Sequence, residues 1–396
     1  MARSAQSAFG AIMDEPLRCN AERAQPAVSM SSERSMDPKL YERYSRQILF
    51  DGIGEAGQQR LLDSSAVLIG CGALGTAVAN LLVRAGLGRL RIVDRDFVEP
   101  SNLQRQTLFA ESDARESLPK AIAAERHLRE INSSVQVEGV VADLAPANAQ
   151  ELLGGFQLIL DGADNFETRL LINDTAVKFS TPWIYAAVVA SYGVTMTIYP
   201  GQTACLACLV EAGEEENSLA PGSGAGAEAT CDTAGVLASA ATAIAALEAA
   251  AAIRLLSRDP NKSDADDSSE SENAAGRLLS LDVWSGRFQT IRVARRADCR
   301  ACVRHDLRYL EGQAQPHLTM CGRDSVQIHE RRRQLDLAAL EQSLAATASE
   351  VRQNKFLLQF RVPPYQMTVF ADGRAIIKGT RDPAVARSLY ARYIGT

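Results

Sequence analysis

Two sets of residues in this chain have the types and the spacing that chemistry requires. The first is the turn Gly70-Cys71-Gly72-Ala73-Leu74-Gly75, which follows an apolar run and precedes a helical pattern. Its three glycines, Gly70, Gly72 and Gly75, leave room for backbone N–H groups and a helix N-terminus to meet phosphate. Asp94 lies about 20 positions further on, at the end of the next strand pattern, where an acidic residue binds ribose hydroxyls. The pattern predicts a nucleotide site but leaves NAD, FAD and ATP open.

The second set is a double pair of cysteines, Cys205-Leu206-Ala207-Cys208 and Cys299-Arg300-Ala301-Cys302. Two such pairs supply the four thiolates of a tetrahedral zinc site, and four protein ligands leave no coordination position open for a substrate. Cys205, Cys208, Cys299 and Cys302 are therefore predicted to hold a structural zinc ion. Disulfides and reduced core cysteines are the alternatives.

The composition excludes several classes of protein. The chain has 396 residues, of which 46% are hydrophobic and 23% charged, so a disordered or fibrous protein is excluded. Its net charge of -6 has the wrong sign for neutralising the phosphates of a nucleic acid. The longest apolar stretch, 234–247, is mostly alanine and ends at Glu248, which argues against a membrane span. We expect a cytoplasmic protein, since the first 36 residues lack a signal-peptide pattern.

The order of strand and helix patterns predicts a Rossmann-like, doubly wound α/β sheet. Apolar strand patterns alternate with helical patterns (strands 66–70, 90–93, 135–140, 158–160 and 183–188; helices 74–85, 120–131 and 167–179). Three further strand patterns, at 193–199, 278–283 and 288–293, have the alternation of antiparallel strands. The sheet is therefore predicted to be mixed, with an antiparallel extension that carries the zinc site.

The chain divides into three parts by its patterns. Residues 1–36 lack periodicity and are expected to be a disordered leader. Residues 37–305 form the main α/β domain, which begins with a helical lead-in over 39–62 and contains a flexible acidic insertion at 259–276. Residues 306–396 are expected to form a small α/β domain of unknown role, with a hairpin at Asp372-Gly373 and a closing helix over 383–393.

The segment that follows the ribose acid narrows the function. The segment Asp94-Arg95-Asp96-Phe97-Val98-Glu99-Pro100-Ser101-Asn102-Leu103-Gln104-Arg105-Gln106 places Asn102 and Arg105 close after the ribose acid, which a hydride-transfer enzyme does not need. Together with Arg43-Tyr44-Ser45-Arg46-Gln47, Asp161-Gly162-Ala163-Asp164-Asn165 and the cysteine pairs, it resembles the ThiF/MoeB/HesA family of ubiquitin-activating-enzyme-like adenylyltransferases. The resemblance covers residues 37–304 in the family order.

The resemblance implies a reaction with ATP and magnesium. Members of this family adenylylate the C-terminal glycine of a small ubiquitin-like sulfur-carrier protein ending in Gly-Gly, in thiamine thiazole or molybdopterin biosynthesis, and release pyrophosphate. A carboxylate is already ionised at neutral pH, so its attack on the α-phosphorus needs no general base. A chain with only four histidines suits this chemistry.

The resemblance also implies roles for the nucleotide-binding residues. Asp94 would hold the ribose, and Asp96 belongs to the same nucleotide-binding segment. Asn102, Arg105 and Lys120 would contact the phosphates, and Lys120 stands at a helix start, where the helix dipole adds positive potential. For Arg105 and Lys120 the alternative is an ordinary surface charge.

Three more residues receive roles from the resemblance. Asp164 would hold magnesium. Arg46 would reach across a two-fold interface into the partner's site, which implies a homodimer, and a local ion pair is the alternative for this arginine. Cys231 precedes an Ala-rich helix, where a helix N-terminus can lower a thiol pKa; in some members this position is a conjugating cysteine, and a small packed residue is the alternative.

Other functions stay open at this point. The same fold could adenylate another carboxylate, a small molecule or a tRNA base, and a Rossmann oxidoreductase or a zinc-stapled scaffold would share part of the pattern. The oxidoreductase hypothesis does not explain Arg105, Lys120, Asp164 and the cysteine pairs. Cys321 in the tail lacks the glycine-rich loop of a sulfurtransferase, so we expect no such activity, and the tail is expected to dock a partner or to cap the fold.

Overall fold

The computed structural model describes residues 36–211, 234–259, 276–313, 325–328, 335–344, 347–371, 373–380 and 382–395. Several sequence predictions lie outside these described residues. They are the leader, the proposed conjugating residue Cys231, most of the acidic insertion at 259–276, and Cys321.

An eight-stranded sheet forms the centre of the larger part. Its strands run in the order β3-β2-β1-β4-β5-β6-β7-β8. They are β1 (Ser65–Ile69), β2 (Arg89–Val93), β3 (Gln136–Val140), β4 (Leu158–Asp161), β5 (Trp183–Val189), β6 (Tyr192–Ile198), β7 (Arg277–Asp282) and β8 (Arg287–Arg292). The strands from β3 to β5 pair in parallel, and those from β5 to β8 pair antiparallel. The predicted mixed, Rossmann-like sheet is confirmed.

Helices cover both faces of this sheet. They are α1 (Pro38–Ile48), α2 (Gly54–Leu62), α3 (Ala73–Ala85), α4 (Glu111–Arg115), α5 (Lys120–Ile131), α6 (Ala149–Leu153), α7 (Phe166–Phe179), α8 (Leu206–Val210) and α9 (Ala238–Ser257). Alternate residues of β1 enter different cores, since Ala66 and Leu68 pack with α3, α5 and α9, whereas Val67 and Ile69 pack with α6, α7 and α8. This period of two is what a strand buried on both faces requires.

The helical lead-in predicted over 39–62 is interrupted once. The structure has two helices, α1 and α2, separated by a turn over residues 49–53. Gly54 takes a φ of +62°, which glycine adopts without steric cost, and the chain changes direction there. The polar periodicity of this segment continues through the turn, so it does not reveal the break.

Helix α9 is long and apolar enough to cross a membrane by length and composition alone. In the structure it packs against α3 and against β5 and β6. Its buried face carries small side chains, among them Ala241, Ala245 and Ala252, which let the helix approach its neighbours closely. Its position is that of a core helix.

A second sheet follows in the chain, and we call residues 325–395 the C-terminal unit. Its five antiparallel strands run in the order β10-β11-β12-β13-β9. They are β9 (Ser325–Ile328), β10 (Ser349–Gln353), β11 (Leu357–Val362), β12 (Tyr365–Phe370) and β13 (Ala375–Lys378), with helices α10 (Leu337–Leu344) and α11 (Pro383–Tyr393). The unit has a core of its own, which includes Phe360, Met367 and Ile377. The small α/β fold is confirmed, while the boundary at residue 306 stays a prediction because Leu307 packs in the first core.

The centre of α9 buries an acidic side chain against β4. Glu248 is 0% exposed, and its Oε1 accepts a hydrogen bond of 3.1 Å from the N–H of Asp161. Its Oε2 is buried without a hydrogen-bond partner in the described part of the chain. Burial and then the charge of Asp161 raise the pKa of Glu248 well above its ordinary value of 4.5. The folded protein therefore retains a proton that the unfolded chain releases.

We expect Glu248→Gln to stabilise the protein at pH 8 but not near pH 4. Unfolding releases the Glu248 proton above pH 4.5, so the stability of the native chain falls as the pH rises past this value. The substitution removes this proton linkage, so it raises the unfolding free energy at pH 8 and has no such effect near pH 4. Denaturant unfolding at both pH values measures it. Glu130→Gln, at an exposed position on α5, is the control; equal curves for both variants would contradict the account.

Candidate active site

The glycine turn between β1 and α3 is packed too tightly for side chains at two of its three glycines. Gly70 has a φ of +89°, and a Cβ there would lie 2.3 Å from the carbonyl oxygen of Gly162. A Cβ on Gly75 would lie 2.1 Å from the carbonyl oxygen of Gly70. At Gly72 the nearest atom would be 3.9 Å away, and no side chain caps the first N–H groups of α3. The turn thus leaves an open, positively polarised helix N-terminus.

Asp94 fastens this turn to the end of β2. Its Oδ2 accepts a hydrogen bond of 2.6 Å from the N–H of Cys71, and its Oδ1 accepts one of 2.7 Å from the N–H of Asp96. The side chain is mostly buried, and burial raises the pKa of the carboxyl group. Burial also raises the pKa of the Cys71 thiol, which stays a packed and unreactive group.

Lys120 and Asp96 form an ion pair beside the turn. The Nζ of Lys120 lies 3.0 Å from Oδ2 of Asp96, and the N–H of Lys120 donates to the Asp96 carbonyl at 2.8 Å. Burial alone would lower the pKa of Lys120, but the charges of Asp96, Asp94 and Asp164 raise it above its ordinary value. Lys120 therefore stays protonated. Its side chain is buried, so the alternative of an ordinary surface charge does not describe it.

Asn102 and Arg105 lie on the segment that leaves β2. Asn102 ends a short 3-10 helix, Pro100–Asn102, and Arg105 lies in the turn that follows it. The Oδ1 of Asn102 accepts from the N–H of Glu99 at 3.0 Å, which orients the amide. Arg105 is half-buried, and its Nη1 donates to the carbonyl of Ser101 at 2.8 Å.

Asp164 follows β4 on the loop that leads to α7. Its side chain is exposed, and its Oδ1 accepts from Asn165 at 3.1 Å. Its charge contributes to the raised pKa of Lys120, so the two groups share one electrostatic environment. Because β1, β2 and β4 are neighbouring parallel strands, their carboxyl ends bring the glycine turn, the Asp94 segment and Asp164 to one edge of the sheet.

A buried arginine that sequence reasoning missed supports the Asp164 loop. The Nε of Arg169 lies 3.0 Å from Oδ2 of Asp161, and its Nη2 donates to the carbonyls of Ala163 and Ala186 at 2.6 and 3.1 Å. Asp161 is therefore a bracing residue for the loop. Arg169 lies within an apolar helical pattern, and nothing in that pattern marks it as different from a surface arginine.

Arg46 lies on α1 and makes no hydrogen bond or ion pair with these groups within the described chain. It is exposed on α1 and makes no ion pair with another described residue, so the predicted alternative of a local ion pair has no support there. Close after it, Leu49 and Phe50 leave 69% and 65% of their surfaces exposed. An unpaired arginine beside exposed apolar side chains is typical of a surface that meets another protein.

The four predicted zinc ligands come together. Cys205 and Cys208 follow β6, Cys299 and Cys302 follow β8, and all four sulfurs lie within 4.8 Å of one another. The Sγ separations are 3.9 Å for Cys205–Cys208 and 3.6 Å for Cys205–Cys299 and Cys208–Cys302. Four sulfurs about 2.3 Å from one zinc ion lie about 3.8 Å apart in a tetrahedron. The free, buried thiols fit zinc and are not disulfides.

Arg300, between two of these cysteines, ties the cluster to the main fold. It is buried, and its Nη1 lies 3.2 Å from both carboxylate oxygens of Asp174 on α7. Its Nε donates to Glu211 at 2.8 Å. Sequence reasoning did not single out this residue, because only the neighbouring cysteines have the spacing of metal ligands.

Comparison with known proteins decides the family. The sequence matches the ThiF family over residues 44–301. The chain belongs to the ThiF family. It is 43% identical to the sulfur carrier protein ThiS adenylyltransferase of Bacillus subtilis over 357 residues, or 89% of this chain and 99% of that protein. It is 34% identical to the enzyme of the same name from Escherichia coli, over 67% of this chain and 97% of that protein.

A solved structure supports the fold of this ThiF family member. The crystal structure of Escherichia coli MccB with succinimide aligns with a TM-score of 0.53 at 23% sequence identity. The alignment covers 66% of this chain and 74% of MccB. At this level of identity the likeness concerns the fold alone.

We expect the purified protein to contain one zinc ion per chain, measured by inductively coupled plasma mass spectrometry. Cys302→Ser removes one of four buried thiolates, so the protein should lose the metal and several kcal/mol of unfolding free energy. Cys71→Ala changes a buried cysteine outside the cluster and should retain the zinc. Full zinc occupancy in Cys302→Ser would contradict a four-cysteine site.

Proposed function

We propose that this chain uses ATP to adenylylate the C-terminal glycine of a ubiquitin-like sulfur-carrier protein ending in Gly-Gly, with release of pyrophosphate. One observation carries the proposal: the uncapped N-terminus of α3 lies at the same sheet edge as the Lys120–Asp96 pair and Asp164. These groups are an anion site with a carboxylate for a metal ion. The relatives named above are adenylyltransferases.

Different groups of the site bind different parts of ATP. The helix amides after Gly72 and the cation of Lys120 bind phosphate oxygens, and Asn102 and Arg105 bind those of the departing pyrophosphate. Asp94 accepts one hydrogen bond at each carboxylate oxygen from the backbone, and each oxygen retains lone pairs for ribose hydroxyls. Magnesium, which we assign to Asp164, supplies further neutralisation of phosphate charge when bound.

The reaction is an in-line displacement at the α-phosphorus. A carboxylate oxygen of the carrier's last glycine forms a bond to that phosphorus, and the bond from it to the bridging oxygen of pyrophosphate breaks. The attacking group is already an anion, so the protein moves no proton in this step. The residues act by position and charge, and Lys120 stays protonated because the acidic groups around it raise its pKa.

We assign the carrier to the ThiS type and the pathway to thiamine thiazole synthesis, ahead of molybdopterin synthesis. The support is the match to the Bacillus subtilis ThiS adenylyltransferase, which extends over 99% of that protein and 89% of this chain and so reaches into the C-terminal unit. A role of Cys231 as a conjugating residue belongs to the same proposal, and this residue lies outside the described part of the chain. The cytoplasmic location stays a prediction.

We further propose a homodimer in which Arg46 of each subunit completes the partner's site. Within the described chain Arg46 has no ion-pair partner, and the neighbouring Leu49 and Phe50 offer an apolar surface for a contact between subunits. A cation that enters the partner's phosphate site would add to the charge of Lys120 and Arg105.

ATP–pyrophosphate exchange with ThiS and with a molybdopterin carrier tests the reaction. Exchange should depend on ThiS and fall at least about 100-fold in Asp164→Ala and in Arg105→Ala, the scale of losing one charge-stabilising group. Arg387→Ala changes an exposed arginine of α11 and should leave exchange unchanged. If neither carrier supports exchange by a protein that binds ATP, sulfur-carrier adenylylation is wrong.

Mixing two inactive variants tests the partner role of Arg46. Arg46→Ala and Asp164→Ala should each be inactive alone. After exchange of subunits, half of the dimers are mixed and each has one intact site, so about one quarter of the native rate returns. No recovery in dimers shown to be mixed would place Arg46 in its own subunit's site.

A further inference from the structure

The C-terminal unit covers the segment that follows β2. Phe97, directly after Asp96, is only 7% exposed, although it lies on a loop of the first part of the fold. It forms an apolar cluster with Leu357, Phe370 and Ile376, all from the second sheet. The loop that carries the nucleotide-binding residues therefore has no complete core without the C-terminal unit.

An arginine of the C-terminal unit is buried in the same contact. Arg374, next to the start of β13, is 2% exposed, and its guanidinium carbon lies 4.6 Å from the ring centre of Phe370. Burial alone would raise the pKa of Asp96, but the charges of Lys120, Arg95 and Arg374 hold it below its ordinary value.

Two polar contacts extend the junction to both segments of the ATP site. Lys378 on β13 forms an ion pair with Glu99, which lies between Asp96 and Asn102. Asn354 donates from Nδ2 to the carbonyl oxygens of Glu116 and Ser117, at 3.2 and 3.1 Å. The second contact holds the stretch that leads to Lys120. The C-terminal unit thus contacts the segment before Asn102 and the segment before Lys120.

We propose that Arg374 is a positioning residue of the ATP site, through which the C-terminal unit holds Asp96 and so sets the place of Lys120. This inference rests on the proposed function. When Lys120 turns toward phosphate, Asp96 loses a partner at 3.0 Å and keeps Arg95, whose Nε lies 3.8 Å from its Oδ1. A partly buried carboxylate with too little compensating charge is costly. Arg374 adds its charge to that of Arg95 and lowers the cost of releasing Lys120 to ATP.

Arg374→Met tests the inference, because methionine fills a similar space without the charge. We expect the dissociation constant of ATP, measured by calorimetry without carrier, and the KM for ATP to rise about tenfold, while kcat changes less than about threefold. Arg374→Lys retains a charge and should recover part of the affinity. Arg361→Met alters an exposed arginine of the same sheet and should bind ATP as the native chain does.

A double-mutant cycle separates positioning from a structural effect. In an Asp96→Asn background the carboxylate charge is absent, so adding Arg374→Met should change ATP affinity by less than about twofold. An equal tenfold loss in both backgrounds would overturn the proposed action through Asp96. Native ATP affinity in a folded Arg374→Met would overturn it as well.

Lys378→Met provides a test that survives if Arg374→Met does not fold, since the Lys378 side chain is 38% exposed. It should weaken ATP binding about threefold through the loss of the Glu99 contact, and native affinity in this variant would then overturn the inference. Because binding is measured without carrier, failure of all carriers in the exchange assay would defeat the proposed function and leave this comparison intact.

Discussion

The ion pair between Lys120 and Asp96 is the interaction on which the arrangement of the site depends. It joins the start of α5 to the end of β2, and it is flanked by Asp94, which fastens the same strand end to the glycine turn. A buried pair is stable only when both charges are further compensated. The surrounding structure provides this compensation, with acidic groups around Lys120 and with Arg95 and Arg374 around Asp96.

This constraint explains how an acidic protein presents cations to a triphosphate. The chain carries a net charge of -6, so the phosphate-binding groups must be held at fixed places rather than supplied by a basic surface. A cation that is already in place needs little reorganisation during the reaction. Such preorganisation is the main way in which charged groups stabilise a transition state. The four-cysteine cluster supports the site from outside it. Its cysteines join the loops after β6 and β8, and Arg300 connects them to α7, the helix that follows Asp164.

The sequence predicted the features that depend on local pattern. The parallel strands and α5 lie within one or two residues of their predicted bounds, because apolar runs and a Pro-Lys helix start are strong local signals. The cysteine spacing correctly predicted a four-sulfur cluster. Strand β10, with its polar and mostly exposed residues 349–353, gave no alternation and was not predicted. Arg169, Glu248 and Arg374 were missed because the burial of a charged side chain has no sequence pattern.

Transfer of a radiolabel from ATP to ThiS tests the central claim most directly. With the label in the α-phosphate, the account predicts a labelled carrier whose label is lost when its C-terminal glycine is deleted. With the label in the γ-phosphate, it predicts an unlabelled carrier and labelled pyrophosphate. Label from the γ-phosphate on the carrier would show attack at a different phosphorus, and this result would contradict adenylylation.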